Sequence, residues 1–392
     1  MKAILNIDII YLVLNLFLLL VFIYSGYKIR WKYNYYRNIL FPVITYTLIL
    51  GSRYKRGNDY MHYVDIFNHG FKDGHYTPVF TLFNDLLSEI GVNAYGAYFF
   101  YSAVFIICSV IFLSRYARYS KYIFPAFLIA MLYFNEYQIR QSFGFSFVFL
   151  FLYSLFDITY NSNKFIFNKN NLLKCVICIF VFFIIWGIHK ANVILVFVFV
   201  ISFFFIRKHI PTIISIPMLV LSAYVIPNIF DFSILNPFLK IMAGDDEVMQ
   251  TYVENSHRWF SASGYDDLYT RNTIVQLFEI FGHASLFYLG AKALKYFKNQ
   301  QEAITIYNVY VFGTLFMISF RKLELMNRMG GNLEHFWFLP ISLVLYYHKK
   351  VLNTTPHKII SVFLVFFLYE YLKYLFFPSP TKTSFLWDAT NI

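Results

Sequence analysis

Charge is what this sequence has least of: 14% of its 392 residues are Asp, Glu, Lys or Arg, against 59% hydrophobic, and the mean hydropathy is +0.54. Ordinary soluble domains carry roughly a quarter of their residues as charges, so that class is excluded. No window longer than about 45 residues is without an apolar run, which leaves no room for a separable soluble module. Cysteine is scarce too. Cys108, Cys175 and Cys178 all lie inside apolar runs, so neither a disulfide framework nor a metal cluster is indicated, and Cys175 and Cys178 lack the second pair or His partner that a CxxC metal site needs. HExxH, GxSxG and a Walker loop are absent, which removes the common metalloprotease, serine hydrolase and nucleotide-binding signatures.

What is present is a series of apolar runs of roughly 15 to 22 residues, the length a bilayer requires. They fall at 7–27, 37–52, 94–114, 122–136, 140–157, 172–188, 191–206, 209–227, 272–291, 303–320, 335–347 and 357–377. The pattern predicts an all-α, polytopic transmembrane helical bundle of about 12 spans, one integral membrane domain over 1–392. The first run is longer than a signal-peptide core and no small-x-small cleavage site follows it, so it is expected to remain as a helix.

The net charge of +12 has an explanation that does not involve nucleic acid. The loops after the odd-numbered runs carry eighteen cations, from Lys28 and Arg30 to Lys350 and Lys358, against two acids, Asp157 and Glu302. By the positive-inside rule these loops face the cytoplasm and both termini lie outside. The larger outward loops are then 53–93 and 228–271, with small ones at 136–140, 188–190 and 321–334. Cations in those outward loops cannot be orientation signals.

The most basic outward stretch is RYKRGNDYMHYVDIFNHG, which begins at Arg53. Gly57 breaks the chain and Asn58 is placed to cap a short interfacial helix. Asn58, His62, Asp65 and His69 form its polar stripe, and Tyr60, Val64 and Phe67 face the other way. Arg53 and Arg56 flank its start, a setting that suits a phosphate or a lipid head group; Asp59 in the first turn also suits the helix dipole. NEYQIRQSFGF puts Arg140 and Gln141 at the start of the fifth run, with Gly144 one turn below for close approach. A cation there opposes the helix dipole and calls for an anionic ligand or for Glu136 as an ion-pair partner. WGIHKANV interrupts a 172–206 stretch too long for one span, which predicts a tight outward turn carrying His189 and Lys190. Arg321, Glu324 and Arg328 share a face if their segment is helical. Within the runs, Glu279 and His283 lie i, i+4 and should face the interior as a hydrogen-bonded or functional pair, and Glu370 and Lys373 can pair with each other. Asp245, Asp246, Glu247, Asp266 and Asp267 lack alternating ligand spacing and are read as solvated loop.

The order of these pieces resembles the EpsG-like group of Wzy-type polysaccharide polymerases: Gly57, Asp59, Tyr60 and Tyr63 after the second run, Ile139-Arg140-Gln141 opening the fifth, His189-Lys190 between two runs, and a late Arg-rich turn ending at Pro340. The likeness covers about 40 to 345 and leaves 228–271 unaligned. It implies a GT-C-like membrane glycosyltransferase architecture in the bacterial inner membrane with its site facing the periplasm. The implied reaction transfers a growing O-antigen, capsule or exopolysaccharide glycan from undecaprenyl pyrophosphate to an incoming lipid-linked repeat. On that resemblance Arg140 and Arg56 are the first candidates for pyrophosphate contact, with Arg53, Arg321, Arg328 and Lys190 next, and Asp59 or His189 is the base for the acceptor proton. Tyr60, Tyr63, Tyr76, Tyr252, Trp259, Tyr265, Tyr269 and Gln141 supply rings and polar edges that suit sugars, although such rings equally suit a membrane interface. No cofactor or metal is implied; the expected partners are the lipid-linked oligosaccharide, membrane lipid, a chain-length regulator and a flippase. A flippase for the same lipid-linked sugars, or a ligase transferring glycan to another acceptor, is the competing class. No internal repeat is present, and the polar candidates lie at the rim rather than the midplane, which favours chemistry on one face.

Overall fold

The computed structural model of the protein describes residues 9–29, 32–56, 59–70, 77–158, 160–161, 164–165, 169–229, 273–297, 300–321, 323–355, 358 and 384–385. The described residues are helical apart from turns and two short antiparallel pairs, Arg53–Tyr54 with Ser384–Phe385 and Tyr160–Asn161 with Lys164–Phe165. Eleven of the twelve expected runs coincide with helical segments, each ending within one helical turn of its expected bound. Of the twelfth, 357–377, only Lys358 is described, and Gly57, Asn58, Tyr76, Glu370, Lys373 and the calls within 230–272 lie outside the described residues. Among the described residues, five stretches are long and apolar enough to cross a bilayer: Ile10–Lys28, Ala94–Tyr137, Lys169–Ile188, Thr273–Leu294 and Gln300–Ser319. The second of these contains two helices, and Ile139–Leu155, Lys190–Phe205 and Thr212–Tyr224 are shorter apolar helices. The chain is an all-α, multi-pass membrane protein.

Contacts divide it into two compact units, the first within Met1–Gly70, Thr77–Val200 and Phe367–Ile392, the second within Phe71–Tyr76 and Ile201–Phe366. The first unit contains α1 (Ile9–Lys28), α2 (Tyr35–Gly51), α3 (Tyr60–His69), α4 (Pro78–Glu89), α5 (Ala94–Leu113), α6 (Ser120–Tyr137), α7 (Ile139–Leu155), α8 (Lys169–Ile188) and most of α9 (Lys190–Phe205). Lipid tails are as apolar as leucine, so helices here associate through close packing rather than through exclusion of water. Phe149 on α7 illustrates this. Its ring lies 5.3 Å from Phe112, 5.8 Å from Phe127, 6.1 Å from Phe105 and 5.1 Å from Phe145, tying α5, α6 and α7 through offset and edge-on contacts.

The expected short helix after Arg56 is present as α3, with Tyr60 and Val64 buried and His62 and His69 exposed. It opens at Tyr60, with Asp59 at the cap position and no side-chain cap bond. The rest of the 53–93 loop differs from expectation, because α4 occupies twelve residues of it. Pro78 at its first position is a start signal, but a helix of that length is too short to register as a span.

The second unit contains α10 (Thr212–Tyr224), α11 (Thr273–Leu294), α12 (Gln300–Ser319), α13 (Glu324–Glu334) and α14 (Phe338–Tyr346). Asn308 of α12 pins the chain entering α10, accepting from the Ile210 amide at 2.8 Å and donating to the Lys208 carbonyl at 3.0 Å. His283 faces inward as expected, 2% exposed, with the Glu279 charge one turn before it acting on its ring, and two groups from other helices join it: the Tyr310 hydroxyl 2.9 Å from Nδ1 and a Glu334 carboxylate oxygen 3.9 Å from Nε2. Pairing α12 with α13 depends on Gly330, where a Cβ would stand 2.5 Å from the Met317 amide nitrogen and 2.6 Å from its Cα. Both of those atoms are backbone, so a larger side chain forces the helices apart. Gly330→Val is expected to destabilise the protein by about 2 kcal/mol or more, seen as a lower melting temperature and reduced monodisperse yield in detergent, with little loss for the exposed substitution Met61→Leu.

Candidate functional site

The two ends of the first unit differ in kind. At one end, Arg115 donates to Asp157 Oδ1 at 2.5 Å and to the Tyr153 and Phe156 carbonyls, which caps the C-terminus of α7 with positive charge. Lys174 reaches the Asp157 carbonyl at 2.9 Å, and Lys121 lies over the Tyr27 ring. Partial burial works against the Asp157 charge, yet Arg115 and Lys174 together hold its carboxyl below the usual range. These residues come from the cation-rich loops, so the first unit gathers them at one end.

The opposite end collects the expected outward stretches. Arg53, at the end of α2, is 2% exposed and donates to the Leu50 carbonyl at 2.5 Å and to the Asn135 carbonyl at 3.2 Å, with the Tyr98 ring 5.5 Å away. It therefore serves two helix C-termini, α2 and α6. Tyr60 stacks on Tyr98, centroids 4.2 Å apart and planes 6° from parallel, and the Tyr98 hydroxyl donates to the Tyr60 carbonyl. Tyr63 is half-buried against Phe80, and Asp59 is half-buried. Ser384–Phe385 pairs with Arg53–Tyr54 at this same end.

Arg56 sits lower. It is 2% exposed, its Nε is 2.5 Å from Glu136 Oε2, and its guanidinium lies 3.6 Å from the centre of the Tyr11 ring. The Tyr11 hydroxyl donates to both Glu136 oxygens, at 2.7 and 2.9 Å. Burial disfavours the Arg56 charge, but Glu136 and Tyr11 outweigh it and push the guanidinium pKa up. Sequence spacing offered Glu136 as a partner for Arg140, four residues along; the fold supplies Glu136 with Arg56 from another loop.

Arg140 and Gln141 open α7, and His189 forms the one-residue turn between α8 and α9, with Lys190 exposed beside it. The two turns meet. A Cβ on Gly144 would stand 2.5 Å from Asn192 Nδ2, 3.2 Å from Ile188 Cγ2 and 3.5 Å from His189 Cβ, so the close approach expected there is real. Asn192 donates to the Gln141 carbonyl at 2.9 Å. Burial, with the Arg140 charge beside it, pushes the His189 imidazole down to about 3. Arg321 and Arg328 belong to the second unit; Arg321 is half-buried in the turn after α12 and Arg328 is exposed on α13.

Residues missed in the sequence also converge here. Gln138 Oε1, Asn192 Oδ1 and His189 Nδ1 are buried and have no hydrogen-bond partner among the described residues. Gln138 and Asn192 lie inside the stretches NEYQIRQ and WGIHKANV, and their polarity against apolar flanks was the available signal. Buried polar atoms are nearly always bonded in proteins, to water or a ligand if not to protein. Among the described residues no group of three or more His, Cys, Asp or Glu is arranged to hold a metal ion.

The Glu136 arrangement generates a stability prediction. Glu136→Ala leaves the buried Arg56 charge without its carboxylate and should cost about 3–5 kcal/mol, measured as lost thermal stability in detergent. The double variant Arg56→Met/Glu136→Leu should recover much of that loss, since it removes both charges.

No curated protein and no solved structure matches the chain. The family model described as the EpsG family matches residues 34–387. With that match covering nearly the whole chain, the turns at 136–140 and 188–190 included, the chain belongs to the EpsG family, a family of Wzy-type polysaccharide polymerases.

Proposed function

We propose that this protein polymerises lipid-linked oligosaccharide repeats and that the reaction takes place at the end of the first unit where the turns at 136–140 and 188–190 meet. The observation that carries the reading is the concentration there of a helix-N-terminal arginine and of buried polar atoms that have no hydrogen-bond partner among the described residues. That end is the outer face by the positive-inside rule, since the cation-rich loops gather at the other. Tyr11 and Ser384–Phe385 both lie at this end, and an even number of crossings between them agrees with twelve spans. The architecture is of the GT-C-like kind, and the membrane is the bacterial inner membrane.

In the reaction, an acceptor sugar hydroxyl attacks the anomeric carbon of the donor glycan. A new C–O bond forms as the bond to undecaprenyl pyrophosphate breaks, and the electron pair leaves on the pyrophosphate. Arg140 meets that growing negative charge, and the amides at the head of α7 reinforce it. Arg53 and Arg56 hold the helix ends and position the site. Lys190, exposed beside Arg140, adds to the attraction of the anionic lipid; Arg321 and Arg328 offer further cations on the second unit. Tyr60, Tyr63 and Gln141 line the same end. The acceptor proton goes to Asp59. His189 is held neutral at physiological pH and serves as a hydrogen-bonding group rather than as the base. A chain-length regulator and a flippase for the same lipid-linked repeat are the partners this role calls for.

Arg140→Ala should lower polymer formation about a hundredfold to a thousandfold with unchanged membrane expression, read as loss of the ladder made by purified protein from lipid-linked repeats. The deletion strain separates the competing classes: a single repeat on the surface glycolipid means polymerase, no glycan on the acceptor core means ligase, and no glycan outside means flippase. His189, pushed down to about 3, is neutral in the fold at any pH where unfolded histidine near 6.5 would titrate. The pH–rate profile between about pH 5 and 8 should therefore keep its shape in His189→Ala. The same shift makes stability fall as pH drops from about 6.5 toward 3, and His189→Ala should flatten that decline.

A further inference from the structure

Resting on the polymerase reading, the corner between α7 and the α8–α9 turn carries a second kind of information. An anion site needs donors only. Two of the buried atoms here, Gln138 Oε1 and Asn192 Oδ1, are amide oxygens, which accept hydrogen bonds and have no proton to give. Asn192 is 0% exposed, and its amide nitrogen is already committed to the Gln141 carbonyl at 2.9 Å. That bond fixes which arm of the amide is the oxygen, so Oδ1 is left as an acceptor over the first turn of α7. Gly144 makes the approach possible, since a Cβ there would stand 2.5 Å from Asn192 Nδ2. His189 Nδ1 is a third buried atom without a hydrogen-bond partner among the described residues, and Arg140 is close enough for its charge to act on that ring. A bare phosphate without a proton offers neither amide oxygen a hydrogen bond. A ligand that presents an anion to Arg140 and O–H or N–H donors alongside satisfies all of it.

We propose that Gln138 and Asn192, with His189, form a subsite for the sugar ring directly attached to the pyrophosphate, and that they accept hydrogen bonds from its hydroxyl or acetamido groups. The glycan is held by its reducing-end ring while Arg140 holds the phosphate next to it. The anomeric carbon that reacts is thereby fixed between two contacts that read different chemistry. Discrimination among donors then originates here, because a site built to receive a hydrogen bond rejects a ligand that lacks the donor.

The test uses the full chain in detergent and two kinds of probe: farnesyl diphosphate, and its P2-linked esters of glucose, galactose, N-acetylglucosamine and N-acetylgalactosamine. At least one ester is expected to bind more tightly than farnesyl diphosphate. Gln138→Met, nearly isosteric but without the acceptor, should weaken that ester by about threefold to tenfold and leave farnesyl diphosphate binding unchanged. Loss of the ester preference in Gln138→Met, with farnesyl diphosphate binding kept, supports the subsite. If no ester exceeds farnesyl diphosphate, or if Gln138→Met weakens ester and diphosphate alike, the sugar subsite is overturned. The underlying reading has its own arm: should Arg140→Ala bind farnesyl diphosphate as well as the unaltered protein does, the pyrophosphate assignment fails whatever the esters do.

Discussion

The ion pair between Arg56 and Glu136, closed by the hydroxyl and ring of Tyr11, is the contact on which the candidate site depends. Two charges removed from water cost several kcal/mol each and are kept only when their partners are well placed. Here Glu136 accepts from both Tyr11 and Arg56, and Arg56 has an aromatic face beneath it. The three residues come from the start of α1, the loop after α2 and the end of α6. Once they are joined, the turn at 136–140 is fixed, and Arg140 and Gln138 inherit their positions from it. Arg53 reinforces the same junction by donating to the Leu50 and Asn135 carbonyls.

This arrangement assigns different work to cations that look alike in the sequence. Arg53 and Arg56 are 2% exposed and direct donors at carbonyls and at Glu136, while Arg53 Nε and Arg56 Nη2 make no hydrogen bond among the described residues. Arg140 stands at the head of α7, where the helix dipole is already positive, and beside His189, whose protonation it suppresses. Glu136, the carboxylate four residues before Arg140, is shared by Arg56 and Tyr11. At the other end of the unit Arg115 and Lys174 meet a carboxylate, Asp157, and Arg115 also serves the C-terminus of α7.

The helices were legible because lipid enforces them: a run of about twenty apolar residues has few ways to satisfy its backbone except by coiling. The turn at His189 was legible for the converse reason, since 172–206 is too long for one crossing. The helix α4 was not, because twelve residues in an interface carry neither the length of a span nor the composition of a loop. Partnerships were the least legible. Glu136 lies four residues from Arg140 and eighty from Arg56, and local spacing naturally named the nearer one. The choice of Arg56 is a property of packing α1 against α6 and α2 against α5, which no single stretch encodes. His283 repeats the point in the second unit. Its inward orientation followed from its charge-bearing chemistry in an apolar run, but Tyr310 and Glu334 are its neighbours only through the fold.

Glycine at 144 links these levels. Its lack of a side chain lets the α8–α9 turn press onto the first turn of α7, with Asn192 and His189 over the gap. A larger residue would push that turn away, the Asn192 bond to the Gln141 carbonyl would lengthen, and the amide would lose the contact that orients its oxygen. Donors and acceptors at this corner are therefore set by backbone proximity rather than by side chains reaching from a distance. Short reach costs little conformational entropy and holds polar atoms in place before a ligand arrives. In the proposed glycosyl transfer, where charge moves onto a departing pyrophosphate, preset geometry of this kind would let Arg140 act on the transition state more strongly than on the bound donor.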